Sequence, residues 1–414
     1  MSSPGGAFAA VRHADFRPYF VTGLLSMMAD NVEHVISYWV IFQAFHSPTL
    51  AGFAVISHWT PFLLLGVHFG ALADRYDCRK LIQISQLAFI AASLAWAVLF
   101  LTGTLQVWHA AVILVVHGVA GALWSPAGQL LIHDIVGPAD LQSAVRLSAT
   151  SRQIGILFGP GVGGALLLFL GPAYGLMANA LLYLPMTVWL LRVPYTGHQR
   201  TGAVAQRPLA LGEALRTLRA VSGHRGIVVM VALAGLSSLF VGNAYQAQMP
   251  EFATAFSAGQ GEISYTVLLA ASAAGAVLGG FALEASAFFR HPRERTAVLL
   301  ALGWSVAIAV FALVPVYGVA VAALFVAGLL NLGFTSMAQT LVQLEAPPGE
   351  RGRVVGLFSM SSSGLRVGSG VTVGILGAII GIHASLALSA LAFLVVGIGL
   401  LAYANGRVRR LAAA

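Results

Sequence analysis

Twelve long apolar runs dominate this chain, at about 17–45, 49–73, 79–102, 106–133, 142–170, 173–193, 227–253, 263–288, 296–315, 317–343, 354–380 and 384–404. A helix needs roughly 20 mostly apolar residues to cross a bilayer. The runs are long and lack the alternation of barrel strands, so helices are expected. Composition agrees, with 58% hydrophobic and 9% charged residues. A soluble domain carries about 25% charged residues, which this chain lacks to coat a water-facing surface. The first run does not read as a cleavable signal, being too long and containing Asp30, Asn31, Glu33 and His34. With the single cysteine Cys78, no intrachain disulfide is possible.

The formal net charge of +8 would suit a nucleic-acid partner, but its distribution argues for membrane topology. Twenty of the 22 lysines and arginines fall before the first run, after every second run, at the start of the fifth, or at the carboxyl end. The alternate loops carry none, so the positive-inside rule puts both termini in the cytoplasm. The chain is therefore expected to be a multi-pass protein of the cell's inner (plasma) membrane, a monomer, with no nucleic-acid partner. The two remaining arginines, Arg152 and Arg366, lie inside the fifth and eleventh runs.

The polar, basic segment 195–225 divides six runs from six, giving halves 1–194 and 226–414 around a cytoplasmic linker. Its later part, Leu211 to Leu218, could form a short helix on the membrane surface. The halves resemble each other at a spacing of about 210. Gly23 and Asn31 match Gly235 and Asn243, and His34 falls opposite Gln246. Gly70 and Asp74 match Gly280 and Glu284, while Gly155 and Gly159 match Gly364 and Gly368. Such repeats suit a transporter that rocks one half against the other around a midplane site.

After the second run the sequence reads Gly70-Ala-Leu-Ala-Asp74-Arg75-Tyr-Asp77-Cys-Arg79-Lys80. This closely resembles the loop between helices 2 and 3 of the major facilitator superfamily, with Asp77 in place of the usual second glycine. That departure resembles the drug-export branch that includes bacterial enterobactin exporters. The resemblance covers nearly the whole chain, including Leu141-Gln-Ser-Ala144 and Arg351-Gly-Arg353-Val354. It implies twelve transmembrane helices in two six-helix pseudo-repeats. It also implies that Gly70, Asp74, Arg75, Arg79, Lys80 and Glu284 form an inward gate. Independently of the family, Asp74 at a helix end beside several cations can make and break ion pairs, and Gly70 permits close helix approach. The plainer alternative is ordinary positive-inside loop chemistry.

The fifth run contains Gly155, Gly159, Pro160, Gly161, Gly163 and Gly164. This resembles the Gly-Pro-Gly-Gly motif of exporters in the same superfamily. Small residues let helices pack backbone to backbone, and Pro160 frees a carbonyl and bends the helix. Close packing alone would equally explain them.

Charges at membrane depth cost at least about 2.5–3.5 kcal/mol and usually face a cavity or a partner. The first run is densest in them: Ser26, Asp30, Glu33 or His34, and Ser37 recur at helical spacing as one polar stripe. Asp30, Glu33 and His34 are the expected proton-coupling groups. The alternatives are a static pair, for example Asp30 with Arg152, and direct substrate contact. The expected substrate cavity comprises Asn31, His58, His117, Arg152, Gln153, Asn243, Gln246 and Arg366. A single buried histidine such as His117 is more often satisfied in place than a ligand. Arg366 would bind an anionic substrate group or pair with the first run. No metal is expected, because no two histidines share an i, i+4 spacing and the one cysteine is in a loop. No Gly-Lys-Ser/Thr nucleotide loop occurs, so neither ATP nor another cofactor is expected.

Taken with the resemblance, these features predict a proton-driven exporter of a small organic molecule, a siderophore or an amphipathic drug, working between protons and the lipid bilayer. An importer of a metal chelate or other small solute with the same fold is the alternative. A non-transporting membrane sensor would not need buried charges, and an enzyme would need a nucleophile–base pair or metal triad that the sequence lacks.

Overall fold

A computed structural model describes residues 9–198, 211–256, 261–285, 293–346 and 351–411, which are helical with no strand among them. The first unit of the fold comprises Met1–Ala44 and Thr60–Pro208. Its helices are α1 (Phe16–Phe45), the end of α2 (Pro48–Leu64), α3 (Gly66–Arg75), α4 (Cys78–Leu101) and the long α5 (Val107–Arg192). The second unit comprises Phe45–Trp59 and Leu209–Ala414. It holds the start of α2, then α6 (Leu211–Ala220), α7 (Arg225–Phe240), α8 (Ala244–Phe256), α9 (Gly261–Ala285), α10 (Glu294–Leu313) and α11 (Tyr317–Glu345). It ends with α12 (Arg351–Ser359), α13 (Arg366–Ser369), α14 (Leu376–Ile380) and α15 (Ile382–Leu411).

The sequence itself dictates where these helices start and break. Ser47 receives the Leu50 amide on its hydroxyl at 3.2 Å, with Pro48 as the first helical residue of α2. α5 is interrupted at Gly137 (φ 73°) and Gly171 (φ 73°), each followed by a proline. A left-handed glycine ends one helix and the proline opens the next, because proline needs no amide partner in the first turn. α5 therefore has three arms, divided at residues 137 and 171. Between α12 and α14 the helix widens twice into π turns, at Met360–Gly364 and Gly370–Ile375, on either side of Arg366.

Among the described residues, nine helical stretches are long and apolar enough to cross a membrane. α1 is not among them although it has 30 residues. Length is ample, but Asp30, Asn31, Glu33 and His34 lower its apolarity. α2 is 17 residues long and stops at Leu64, which divides the second run. The apolar stretch Ser143–Arg192 contains the Gly171 break. Exposed leucines, valines and isoleucines, such as Leu64, Leu181, Leu191 and Val395, are the surface expected toward lipid.

In the first unit, the middle arm of α5 lies directly on α1. A Cβ on Gly155 would stand 2.9 Å from the Met27 Cβ, and one on Gly163 would stand 3.0 Å from the Val35 Cβ. Gly159 faces Asn31 and the Met28 carbonyl in the same way. Three glycines four residues apart thus form the seam between the two helices. In the second unit, Gly368 presses on Leu239 of α7 and Gly235 on Ser361 and Leu365.

Candidate functional site

α1 meets α4 in a register two turns long. The Ser26 hydroxyl donates to Gln86 Oε1 at 3.1 Å, and seven residues further along both helices the Ser93 hydroxyl donates to Glu33 Oε2. Asn179, from the third arm of α5, donates through Nδ2 to the Ser93 hydroxyl at 3.2 Å. Ser93 and Asn179 are fully buried and Glu33 is 2% exposed.

His117, on the first arm of α5, closes the site. Its Nδ1 lies 2.8 Å from Glu33 Oε1 and its Nε2 lies 2.8 Å from Asp30 Oδ1. The imidazole therefore bridges the two carboxyls of α1. Each nitrogen that faces a carboxylate must carry a proton, unless the carboxyl carries it. Two bridges need two protons among three groups. Either an imidazolium sits between two carboxylates, or a neutral imidazole sits beside one carboxylic acid. Both arrangements leave a net charge of one negative unit, and a third proton would neutralise the site.

The remaining polar groups of α1 surround this bridge. His34 Nδ1 lies 2.6 Å from the Asp30 carbonyl oxygen, and its ring meets His117 edge-on at 4.9 Å. Phe89 packs edge-on against His117 at 4.8 Å and stacks on Tyr183 at 5.1 Å. These aromatic faces keep the bridge among apolar neighbours, where its electrostatic interactions are stronger than in water. Asp30, whose side chain is 15% exposed, is the more accessible carboxyl.

The predicted residues separate into distinct groups in the structure. Asp30, Glu33, His34 and His117 come together. Asn31 does not join them: it donates to the Met27 carbonyl at 2.8 Å and packs under Gly159. Asp30 pairs with His117, and Arg152, weighed from sequence as its partner, is exposed. The side chain of Gln153 lies outside the described residues. Ser93, Asn179 and Gln86 were missed because a serine or amide in an apolar run resembles an ordinary polar side chain bonding within its own helix.

In the second unit, the Arg366 guanidinium lies 4.7 Å over the Trp59 ring and its Nε donates to the Ser362 carbonyl at 3.2 Å. His58 is buried, edge-on to Trp59 at 4.7 Å. Asn243 is half-buried and its Oδ1 has no hydrogen-bond partner among the described residues. Gln246 is half-buried, and its backbone N–H donates to the Asn243 backbone carbonyl at 3.0 Å.

The predicted gate is only partly described. Gly70 is buried in α3, Arg75 and Lys80 are exposed, and the side chains of Asp74 and Glu284 lie outside the described residues. Asp77, read only as a departure from a family pattern, is the N-cap of α4. Its carboxylate accepts from the Arg79 amide at 3.0 Å and from Arg79 Nη2 at 2.8 Å, while Arg79 Nη1 donates to the Val193 carbonyl at 2.6 Å. Burial raises the Asp77 carboxyl, but the Arg79 bonds and charge, with Lys80, outweigh it and hold the group below the ordinary carboxylate value. An aspartate just before an apolar run is a helix-start signal that sequence reading could have used. Among the packing residues, Gly155, Gly159 and Gly163 form the α1 seam, Gly164 is buried, and Pro160 is half-buried within α5.

The profile of the Major Facilitator Superfamily matches residues 19–369. The chain is 30% identical over 184 residues to the MFS-type transporter YvqJ of Bacillus subtilis, a match covering 44% of this chain and 43% of that protein's length. It is 27% identical over 408 residues to the enterobactin exporter EntS of Shigella boydii, covering 94% of this chain and 91% of that one. Among solved structures, a bacterial homologue of the human lysosomal transporter Spinster superposes with a TM-score of 0.69 at 15% identity. That superposition covers 95% of this chain and 96% of that one, a likeness of fold alone.

Proposed function

Since this chain belongs to the major facilitator superfamily, we propose that it is a secondary active transporter that exports a small organic molecule, a siderophore or an amphipathic drug, in exchange for protons. Membership sets it among transporters rather than enzymes. The observation that carries proton coupling is the bridge itself. Two carboxyls and an imidazole share protons among apolar neighbours, and one of the carboxyls is partly accessible. Such a site can neutralise on taking up a proton, which changes the cost of exposing it to either side of the membrane. The full-length likeness to an enterobactin exporter supports export and a siderophore-like cargo.

Twelve crossings in two halves, 1–194 and 226–414 joined by 195–225, complete the proposal. The nine apolar stretches among the described residues, α1, the α2–α3 pair and the extra crossing created by the Gly171 break support that count. The like packing of a glycine-bearing helix on α1 and on α7 supports the repeat. Both termini are proposed to be cytoplasmic, in the inner membrane. The substrate contacts proposed in the second half are Arg366, Asn243 and Gln246, and the inward gate is proposed at Asp74 and its neighbouring cations.

The test uses the double variant Asp30→Asn, Glu33→Gln in inside-out vesicles offered enterobactin and, separately, ethidium, with and without an imposed pH gradient. The parent should accumulate one of these probes only with the gradient. The double variant should lose that accumulation while still exchanging probe down its own gradient. Accumulation at the parent rate in the double variant would show that helix α1 is not the coupling element.

A further inference from the structure

The short helix α6 has two unlike sides, and the structure assigns one of them to protein. Thr217 is buried, and so is Val221, whose amide donates to the Thr217 carbonyl at 2.9 Å and so continues the helical turn. Leu218 between them is half-buried. The helix packs against α12, which takes up this side. At about 100° per residue, Arg216 and Arg219 fall about 60° apart on the opposite side. Both are exposed. Glu213 is the acidic residue of the helix, and its side chain lies outside the described residues.

The turns on either side hold α6 at the level where the chain enters the membrane. The Ser222 amide donates to the Arg219 carbonyl at 3.3 Å, and the His224 amide to the Val221 carbonyl at 2.8 Å. α7 begins directly afterwards at Arg225, the start of a stretch long and apolar enough to cross a bilayer. A second such stretch starts at Val354 within α12. Arg225 takes no part in the exposed pair, because its guanidinium lies 3.9 Å over the Tyr403 ring.

We propose that Arg216 and Arg219 form a docking site for the headgroup phosphate of an anionic phospholipid, whose acyl chains enter the adjoining leaflet. An amphipathic helix that inserts into the membrane needs its apolar side turned to lipid. Here that side is covered by α12, and what α6 presents is a fixed pair of cations. An arginine fork matches a phosphate through two parallel hydrogen bonds. With a rise of about 1.5 Å per residue, the two side chains start about 4.5 Å apart along the axis, close enough to share one phosphate. A free phosphate would have only these two solvated charges to hold it. A lipid is also kept at this height by its chains, and each juxtamembrane cation then adds to its retention. The site is independent of the transport reading given above.

Native mass spectrometry of the full chain in detergent, titrated with phosphatidylglycerol or with phosphatidylcholine of the same acyl chains, tests this. The parent should retain phosphatidylglycerol at concentrations where phosphatidylcholine is lost. The double variant Arg216→Gln, Arg219→Gln should weaken phosphatidylglycerol binding by about 30-fold, as expected for two juxtamembrane cations. Arg192→Gln with Arg295→Gln removes the same charge from two other exposed positions at span ends and should bind as the parent does. Raising the salt should weaken binding in the parent and hardly change it in the α6 variant. Unchanged binding in the α6 variant, an equal loss in the control pair, or equal retention of phosphatidylcholine by the parent overturns the site. Competition by inorganic phosphate or glycerol phosphate at the lipid's own concentration would show a site for a soluble anion and overturn the lipid assignment. If the double variant fails to elute as folded protein, the single variants Arg216→Gln and Arg219→Gln decide it, each with an expected loss of about fivefold.

Discussion

Replacing Gly155 by alanine probes the seam that holds α1. The new Cβ would stand 2.9 Å from both the Met27 Cβ and the Met28 amide nitrogen. Carbon atoms rest at about 3.5–4.0 Å, so α1 must retreat by roughly 0.6–1 Å. Overpacking of this kind costs about 1–3 kcal/mol. Against it stands the gain of about 1 kcal/mol from replacing a helical glycine by alanine. Gly161, further along the same helix, supplies the control, because a Cβ there meets nothing within 4 Å. Propensity favours both substitutions alike, so the difference between them isolates the seam at about 1–3 kcal/mol. Over 414 residues, with an unfolding entropy of about 2.1 cal/mol/K per residue, each kcal/mol moves the melting point by roughly 1 °C, so Gly155→Ala should melt about 1–3 °C below Gly161→Ala. The measurement is the loss of the monodisperse elution peak on heating, with both variants in the same detergent. Equal melting temperatures, or a lower one for Gly161→Ala, would refute a close-packed glycine seam.

Two further outcomes follow from the loops. Asp77→Ala should cost about 0.5–2 kcal/mol, as loss of an N-cap does. Because the Asp77 carboxyl is held below its ordinary value, its contribution is intact above the unfolded value near 3.9 and fades as the pH falls through the lower folded one. The gap in melting temperature between parent and variant should therefore be present at pH 7 and close in strong acid; a gap that survives acid would rule out the carboxylate as its source. Gly202→Cys in a Cys78→Ala background should resist an impermeant thiol reagent in intact cells and react after permeabilisation, and ready labelling from outside would invert the proposed topology.

The apolar runs made the helical membrane class legible because bilayer crossing imposes a length that few other structures share. The helix breaks at Gly137-Pro138 and Gly171-Pro172 could also be read, since glycine and proline act through the local backbone. Asp30, Glu33 and His34 stood out because charge is rare in such runs. Their partners did not. His117 is 84 residues from Glu33, and Asn179 is 86 from Ser93. Nothing local in an apolar helix distinguishes a serine that bonds its own preceding turn from one that bonds a buried carboxylate on another helix. Asn31, expected in the substrate cavity, neighbours Asp30 in sequence, but helical geometry turns it about 100° away, onto the glycine seam.

That geometry gives α1 two opposed duties on adjacent faces. Ser26, Asp30, Glu33 and Ser37 fall on one stripe, and Met27, Asn31 and Val35 fall on another roughly a third of a turn round. The second stripe is clamped by Gly155, Gly159 and Gly163 at backbone distance, where no flexible side chain can absorb a shift. The first is tied through Ser26 and Glu33 to two positions on α4 and through His117 to the first arm of α5. A rotation or slide of α1 large enough to release Asp30 from His117 must therefore also move the glycine seam. Conversely, whatever moves the middle arm of α5 acts on the carboxyl–imidazole bridge through α1. Within this unit the glycines and the carboxyls share one helix, so a substitution at Gly155 is expected to disturb the Asp30–His117–Glu33 bridge as well as stability.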